Sequence, residues 1–341
     1  MNNLLDRERR PLSGLMAAEW VVMAYLVGTT IVMLFHYTSL YEPVQMFFLR
    51  LKVLTITVVL IFLYRLWPCR LSRMVRIGAQ LAMLSWWYPD TYEFNRMFLN
   101  LDHVFAQWEQ DLFGCQPALL FSRRWGSSVV SELMDLGYVS YFPLIALVSA
   151  YYFFCRYDQF GRVAFIIITS FFLYYIVFIV LPVAGPQYYY AAVGVDHIAR
   201  GEFPDIGHWF AVHQDVLESP GYKEGVFYRL VVEAHTAGER PTAAFPSSHV
   251  GISTILMIMA WTAGAAKPSA RRSRSGRQSS RGSRASHLFF FILLPFYVLL
   301  CLSTVYIQAH YAIDVFAGWA SGIVLYFVLH YTYIYLIKET S

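Results

Sequence analysis

Residues 163–182 read VAFIIITSFFLYYIVFIVLP, a run that contains no charged residue. A helix of about 20 apolar residues is long enough to cross the hydrocarbon core of a bilayer. The rest of the chain has the same character, because 57% of its 341 residues are hydrophobic and only 14% are charged. Soluble domains average roughly 25% charged residues. The composition therefore predicts an all-α, polytopic membrane protein.

Seven further apolar runs are candidate membrane helices, which makes about eight spans in all. They lie near 16–36, 51–67, 74–88, 139–155, 250–266, 288–305 and 313–336, of which 74–88 is the shortest. If the N-terminus is cytoplasmic, most of the 26 lysine and arginine residues fall on the cytoplasmic side of these spans, as the positive-inside rule requires. We therefore expect both termini in the cytoplasm.

The spans divide the chain into three regions. We predict an N-terminal region with two extra spans at 1–73, a main membrane domain at 74–336 and a tail at 337–341. The segment 267–287 is rich in Arg, Ser and Gly, and we interpret it as a disordered cytoplasmic loop drawn to anionic lipid headgroups. Because this loop holds much of the positive charge, the net charge of +4 does not indicate a nucleic-acid partner.

Two segments outside the membrane are too long to be simple connectors. Residues 89–138 contain an amphipathic stretch, Phe98–Phe113, that favours a helix along the outer surface, where it could shape a lipid entrance. Asp102, His103, Asp111 and Gln116-Pro117 in this segment are candidates for a headgroup contact, although the absence of such a role is favoured. Residues 183–245 are predicted to fold over a site at the outer face, and their Tyr188–Tyr190 run is more typical of an interfacial aromatic belt than of a substrate clamp.

The second of these segments ends in a motif, Ala243-Ala244-Phe245-Pro246-Ser247-Ser248-His249-Val250-Gly251. Proline and serine are favoured at the start of a helix, so the sixth span should begin here. The unpaired N–H groups and the dipole of a helix N-terminus form a seat for a phosphate oxygen. Ser247 and Ser248 would line this seat, and His249 would stand at its rim.

A second motif, Gln308-Ala309-His310-Tyr311-Ala312-Ile313-Asp314, falls where the seventh span meets the eighth. A His and an Asp four residues apart on one helix share a face. Asp314 could then accept the Nδ1–H of His310 and leave Nε2 as a nucleophilic lone pair. The predicted topology places both motifs on the non-cytoplasmic side, so that His249 and His310 can converge on one substrate.

Pro-Ser-Ser-His at 246–249 followed by His310-x-x-x-Asp314 resembles the type 2 phosphatidic acid phosphatase superfamily. The forms Phe-Pro-Ser-x-His and His-Tyr-x-x-Asp-Val most resemble its sphingolipid-synthase branch, which includes inositol phosphorylceramide synthases and sphingomyelin synthases. The resemblance covers roughly residues 74–336 and implies a six-helix catalytic core. It also implies that His310 forms a phosphohistidine, that Asp314 orients it and that His249 protonates the leaving oxygen, with no metal or other cofactor.

The chain departs from the phosphatases of this superfamily at their cationic positions. Their first motif is usually Lys-x6-Arg-Pro; here Arg240 matches, but Glu233 stands at the lysine position, and Thr304 replaces the arginine of the third motif. A second candidate for the first motif, residues 181–188, also lacks a cation. The candidate substrate-binding residues are Ser247, Ser248, Arg240, Pro186, Gln187 and Tyr188.

The shortage of cations bears on the substrate. A phosphomonoester carries about −1.5 to −2 at neutral pH, whereas a phosphodiester headgroup carries one negative charge at phosphorus. The pattern therefore favours a phosphotransferase that moves a headgroup phosphate, such as inositol phosphate, from a phospholipid to a ceramide-like or other lipid alcohol. Hydrolysis of phosphatidate or of a polyprenyl pyrophosphate is the alternative. A transporter is disfavoured because the ionisable residues lie at one face and no inverted repeat is evident, and a non-enzymatic scaffold would not need this His/Asp geometry. The oligomeric state is open.

Overall fold

The computed structural model describes residues 4–8, 11–263 and 276–339. These residues form helices and contain no β-strand, which confirms the predicted all-α fold. The α-helices are, in chain order, α1 Ala17–Phe35, α2 Pro43–Leu66, α3 Arg70–Asn95, α4 Asp102–Phe113, α5 Pro117–Arg124, α6 Ser128–Val139, α7 Tyr141–Cys155, α8 Tyr157–Val180, α9 Pro186–Val193, α10 Val195–Ala199, α11 Val226–Gly238, α12 Ser248–Thr262, α13 Gly276–Tyr306 and α14 Ala312–Glu339.

Within the described residues, five helices are long and apolar enough to cross a membrane, namely α1, α2, α8, α14 and the part of α13 from His287 onward. Helices α6 and α7 meet the same criterion as a pair, with a bend of 48° between them. The chain is therefore an integral, multi-pass membrane protein. The predicted spans 74–88 and 250–266 correspond to α3 and α12, which do not meet the criterion. Helix α12 is only 15 residues long, and α3 has a much lower mean hydropathy than the five spanning helices.

The two long segments that the sequence places outside the membrane, 89–138 and 183–245, both contain helices; the second is called the outer segment below. The predicted surface helix within Phe98–Phe113 is α4, and the segment 183–245 contains α9, α10 and α11. The predicted basic loop 267–287 lies partly outside the described residues, and its residues from 276 onward belong to α13. Part of the predicted tail continues α14 as far as Glu339.

Two buried ion pairs attach the N-terminal helices to α3. The guanidinium of Arg50 on α2 donates to both oxygens of Asp90 on α3, at 2.8 and 2.9 Å. Arg76 on α3 forms a second bidentate pair with Glu19 on α1, and its Nε lies 2.8 Å from Oε1. All four side chains are at most 4% exposed. Because an unpaired charge in an apolar interior is very costly, each pair holds its two helices together.

Helix α8 is the centre of the bundle, since it packs against α1, α3, α7, α12 and α14. Helices α12 and α14 approach each other closely through glycines. A Cβ at Gly318 would lie 2.7 Å from the Ser247 carbonyl oxygen, and a Cβ at Gly322 would lie 2.5 Å from that of Gly251. Small residues permit such contact between membrane helices, and here they bring the start of α12 against the start of α14.

We predict that Gly322→Ala destabilises the protein and lowers its activity, because the added Cβ meets the backbone of Gly251 and must push α12 away from α14. Thermal unfolding in detergent should show a midpoint several degrees lower, as expected for an overpacked contact of about 1–3 kcal/mol. The matched control is Gly28→Ala on α1, where nothing lies within 4 Å of the new Cβ. Equal midpoints for the two variants would contradict this account of the packing.

Candidate active site

His310 lies in the short connection between α13 and α14. Its backbone N–H donates to the Thr304 carbonyl at 3.0 Å, and its ring Nδ1 lies 2.7 Å from the Ala244 carbonyl oxygen. A carbonyl can only accept, so Nδ1 carries the proton and Nε2 has the lone pair. The residue is 3% exposed, and burial lowers the pKa of His310 to about 4, which its bond to Ala244 and the charge of Glu239 only partly offset. The ring is therefore neutral at pH 7.

His249 stands in the first turn of α12. Ser247 is the N-cap of this helix, and its side-chain oxygen accepts the N–H of Val250 at 3.4 Å. The N–H of Ser247 in turn donates to the Asp314 carbonyl at 3.1 Å. These contacts fix α12 against α14 and bring His249 Nδ1 to 3.4 Å from His310 Nε2. The two motifs thus meet, as the sequence predicted.

Two tyrosines enclose the ring of His249. Tyr138, at the end of α6, is nearly parallel to it, with ring centroids 5.0 Å apart and an interplanar angle of 28°. Tyr141, at the start of α7, lies 4.4 Å away at 45°. The bend between α6 and α7 places both side chains on the histidine. An aromatic wall of this kind restricts how the ring can turn.

Asp314 does not occupy the position that the sequence predicted. His310 precedes α14, so the two residues do not share a helix face, and the first partner of His310 Nδ1 is Ala244. The carboxylate lies 3.5 Å from Nδ1 and accepts the backbone N–H of Tyr311 at 2.8 Å. The predicted Nδ1–H to Asp314 bond is therefore wrong for this structure, because the carbonyl of Ala244 is closer. The carboxyl group of Asp314 nonetheless lies beside the ring, within ion-pair distance of Nδ1.

Helix α4 supplies two buried carboxylates that hold the site's backbone. Asp102 is fully buried and accepts the N–H groups of Ala184 at 2.6 Å and Gly185 at 2.8 Å, and also the hydroxyl of Tyr311 at 3.0 Å. Its carboxylate is therefore bound by groups of the chain itself and is not placed to contact a lipid headgroup. Burial raises its pKa to about 6, against these hydrogen bonds, which lower it.

Glu109, seven residues further along the same helix, accepts the N–H groups of Ala312 and Ile313, each at 3.1 Å. It therefore caps the first turn of α14, directly after His310. Burial raises the pKa of Glu109 to about 7, although these two bonds lower it, and the nearby charge of Asp314 adds to the rise.

The outer segment brings further predicted residues to the histidines. Gln187 donates its backbone N–H to the Gln308 carbonyl at 2.8 Å and its side-chain amide to Glu239 at 2.9 Å. Pro186 begins α9, and Tyr188 is buried beside them. All three tyrosines of the 188–190 run are at most 4% exposed, so the interpretation as an aromatic belt is wrong.

The remaining three predicted substrate-binding residues are Ser247, Ser248 and Arg240. Ser247 is fully buried and is already used as the helix cap, whereas Ser248 is half-buried. Arg240 is half-buried, and its guanidinium donates to the Glu239 carbonyl at 3.0 Å. The charged or titratable groups that act on the two histidines are His310 and His235 for His249, and Glu239 for His310. None of these groups is a lysine or an arginine, which agrees with a cation-poor seat.

Five residues of this site were not assigned to it from the sequence. They are Asp102, Glu109, Tyr138, Tyr141 and Glu239. One signal was present for the first two: acids seven residues apart share a helix face, and Asp102 and Glu109 frame an amphipathic helix whose inner face includes Phe105 and Ala106. For the other three, the sequence offers no periodic or motif signal.

We predict that Glu109 makes the stability of the protein depend on pH. Its pKa is raised from about 4.3 in an unfolded chain to about 7 in the fold, so its favourable contribution is complete below about pH 4.3 and is lost as the pH rises through 7. The thermal midpoint in detergent should fall between about pH 5 and pH 8. Asp102 contributes in the same direction at lower pH.

The variant Glu109→Gln, which cannot ionise, should show a smaller fall over the same range. A matched control is Glu132→Gln, because Glu132 also accepts helix N–H groups, those of Val226 and Phe227, but is only half-buried, whereas Glu109 is fully buried. If Glu109→Gln kept the full pH dependence of the wild type, the assignment to Glu109 would be refuted.

Comparison with known proteins gives one consistent result. A family model described as the PAP2 superfamily matches residues 208–338, and a second model of the same description matches residues 103–271. No curated protein and no solved structure shows a significant match. The two matched ranges together cover residues 103–338, which include both histidine motifs and all the helices from α4 onward. The chain therefore belongs to the PAP2 superfamily and is an enzyme of the phosphatase or phosphotransferase type.

Proposed function

We propose that the chain is a lipid phosphotransferase that moves a phospholipid headgroup phosphate to a lipid alcohol through a phosphohistidine at His310. The observation that carries this proposal is the pairing of a neutral, buried His310, whose Nδ1 is held by the Ala244 carbonyl, with His249 at 3.4 Å from its Nε2. A lone pair on Nε2 and an acid or base next to it are the two groups that covalent phosphoryl transfer requires.

The first step forms a bond between His310 Nε2 and the phosphorus atom of the donor lipid. The bond from phosphorus to the diacylglycerol oxygen breaks, and His249 gives a proton to that oxygen. Burial and the neighbouring His310 lower the pKa of the resting His249 ring well below its usual value, so His249 takes up this proton as the negatively charged phosphate enters the site. For a phosphatidylinositol donor, inositol phosphate remains on the histidine. The negative charge of Asp314, 3.5 Å from Nδ1, stabilises the positive charge that develops on the His310 ring.

In the second step the hydroxyl of an acceptor lipid loses its proton to His249. Its oxygen attacks phosphorus, the N–P bond breaks, and the electron pair returns to Nε2. His310 Nε2 and His249 Nδ1 are only 3.4 Å apart. The two rings must therefore move apart before the phosphorus atom of a substrate can approach Nε2 closely enough to bond to it. The ring of His249 would then slide against the rings of Tyr138 and Tyr141.

A phospholipid diester suits this seat better than a phosphomonoester. Electrostatic stabilisation of the phosphoryl group is the main catalytic device of phosphoryl transfer, and a dianion depends on it more than a monoanion does. Arg240 is the described cation that lies nearest the motifs along the chain, and it faces Tyr88 and Tyr188. We therefore favour transfer, to a ceramide-like or other lipid alcohol, over hydrolysis of phosphatidate.

We also propose that the site faces the non-cytoplasmic side of the membrane. The support is the distribution of lysine and arginine along the chain, combined with the contact between His249 and His310, which puts both motifs at one end of the bundle. On this side, α4 and the outer segment would lie at the lipid surface, and the donor and acceptor lipids would enter from one leaflet.

We predict that His310→Ala and His249→Ala each lower turnover by about 10³-fold or more, because each removes a group that forms or breaks a bond. Asp314→Asn should cost about 10²-fold, since it keeps an acceptor for the Tyr311 N–H but removes the charge beside the ring. Turnover and thermal midpoints are measured together in detergent. His208→Ala, at an exposed histidine of the outer segment, is the control, and near wild-type turnover in any of the three site variants would exclude that residue from the mechanism.

The nature of the acceptor is tested by product analysis. Purified protein in vesicles that contain headgroup-labelled phosphatidylinositol should transfer labelled inositol phosphate to added ceramide or diacylglycerol, and mass spectrometry should find the intermediate on His310. The His310→Ala protein is the control for background chemistry. Release of free phosphate from phosphatidate, at a rate that no acceptor lipid changes and with no phosphorylated acceptor, would refute the transferase proposal in favour of hydrolysis.

A further inference from the structure

Glu239 is an acidic residue placed at the entrance of the histidine site, directly after α11. One carboxylate oxygen accepts the hydroxyl of Tyr138 at 2.5 Å, and the other accepts the side-chain amide of Gln187 at 2.9 Å. His235, one turn earlier, lies 3.5 Å from the first oxygen, and the Glu239 side chain is 18% exposed. These contacts hold the carboxylate in one position.

Each hydrogen-bond partner of Glu239 is in turn in contact with one of the two histidines or with the chain next to it. Tyr138 stacks on His249 with ring centroids 5.0 Å apart. Gln187 bonds through its backbone to Gln308, two residues before His310. The charge of Glu239 also acts on the ring of His310. A phosphate at His310 would therefore stand in the field of this carboxylate.

The charge of Glu239 is weakly compensated at the site. Arg240 bonds to the backbone carbonyl of Glu239, at 3.0 Å, rather than to its carboxylate. The groups that donate hydrogen bonds to the carboxylate, Tyr138 and Gln187, are neutral. His235, 3.5 Å away, compensates the charge only when its ring is protonated. In a buried site with a low effective dielectric, a fixed charge repels a like charge more strongly than it would in water, and the repulsion doubles when the phosphate carries two charges.

We propose that Glu239 determines donor specificity: its carboxylate disfavours lipids with a dianionic phosphomonoester and admits those with a monoanionic phosphodiester. This inference rests on the proposed reaction at His310 and names the residue that selects its substrate class. Dianionic substrates are then disfavoured in two ways: few cations attract them, and the carboxylate of Glu239 repels them. The charge of Glu239 provides the selection between the two lipid classes, and the hydrogen bond to Tyr138 holds that charge in place.

The first test needs no variant. Phosphatidate and its methyl diester, phosphatidylmethanol, differ by one methyl group and by about one negative charge, and both release diacylglycerol when His310 attacks. With wild-type protein in mixed vesicles, kcat/KM for diacylglycerol release should be about tenfold or more higher for the diester. Equal values for the two lipids, or a higher value for phosphatidate, would overturn the proposal.

The second test removes the charge. Glu239→Gln keeps an oxygen that can accept the Tyr138 hydroxyl, and it should narrow the diester preference about tenfold, whereas Glu239→Asp should retain the preference. The matched control is Glu233→Gln, which removes one negative charge from an exposed position of α11 and should leave the ratio unchanged. A Glu239→Gln protein that loses both activities in equal proportion would assign Glu239 a structural role only.

The two proposals can fail separately. Diacylglycerol is released whether an acceptor lipid or water resolves the intermediate, so the ratio reports on Glu239 in either case. A preserved ratio together with phosphate release that is independent of acceptor lipid would refute the transferase and retain the role of Glu239. Transfer to ceramide with no preference for the diester would retain the transferase and refute the role of Glu239.

Discussion

Two buried carboxylates on one face of α4 hold the loops from which the site is built. Asp102 binds the backbone of Ala184 and Gly185, where α8 leads into the outer segment, and Glu109 binds the first turn of α14 next to His310. Residues 181–185 have no regular secondary structure, and the first turn of a helix has no intrahelical partners for its N–H groups. These N–H groups would therefore be buried without partners if the two acids were absent, at about 1–3 kcal/mol each. A surface helix thereby sets the positions of residues that are distant in the sequence.

Local patterns account for what could be predicted. An apolar run long enough to span a bilayer allows little besides a helix, and Pro246 and Ser247 mark the start of α12. The pairing of His249 with His310 followed from sidedness alone. The position of Asp314 could not be inferred in the same way. Helix α14 begins after His310 because Gln308 takes a positive φ of 66° and because Glu109 supplies the cap from another helix, and neither influence can be read from the local sequence.

The site combines a proposed nucleophile, His310, that is neutral for a physical reason with surroundings that add little positive charge. Burial keeps His310 unprotonated, and the Ala244 carbonyl decides which nitrogen has the lone pair. The same burial means that His310 cannot meet a substrate in the conformation described, since it is 3% exposed and faces His249. The contacts that stabilise the resting site therefore also close it to substrate. For a substrate to reach His310, either the rings of His249, Tyr138 and Tyr141 or the outer segment must move.

The ion pairs that attach the N-terminal helices have a consequence for how the protein enters the membrane during synthesis. Glu19 and Arg50 leave the ribosome before their partners, Arg76 and Asp90. Until α3 arrives, each is an uncompensated charge on a helix that is otherwise long and apolar enough to span the membrane, which is costly in hydrocarbon. Helices α1 and α2 should therefore remain at the insertion machinery or near the aqueous boundary until α3 has emerged and both ion pairs can form.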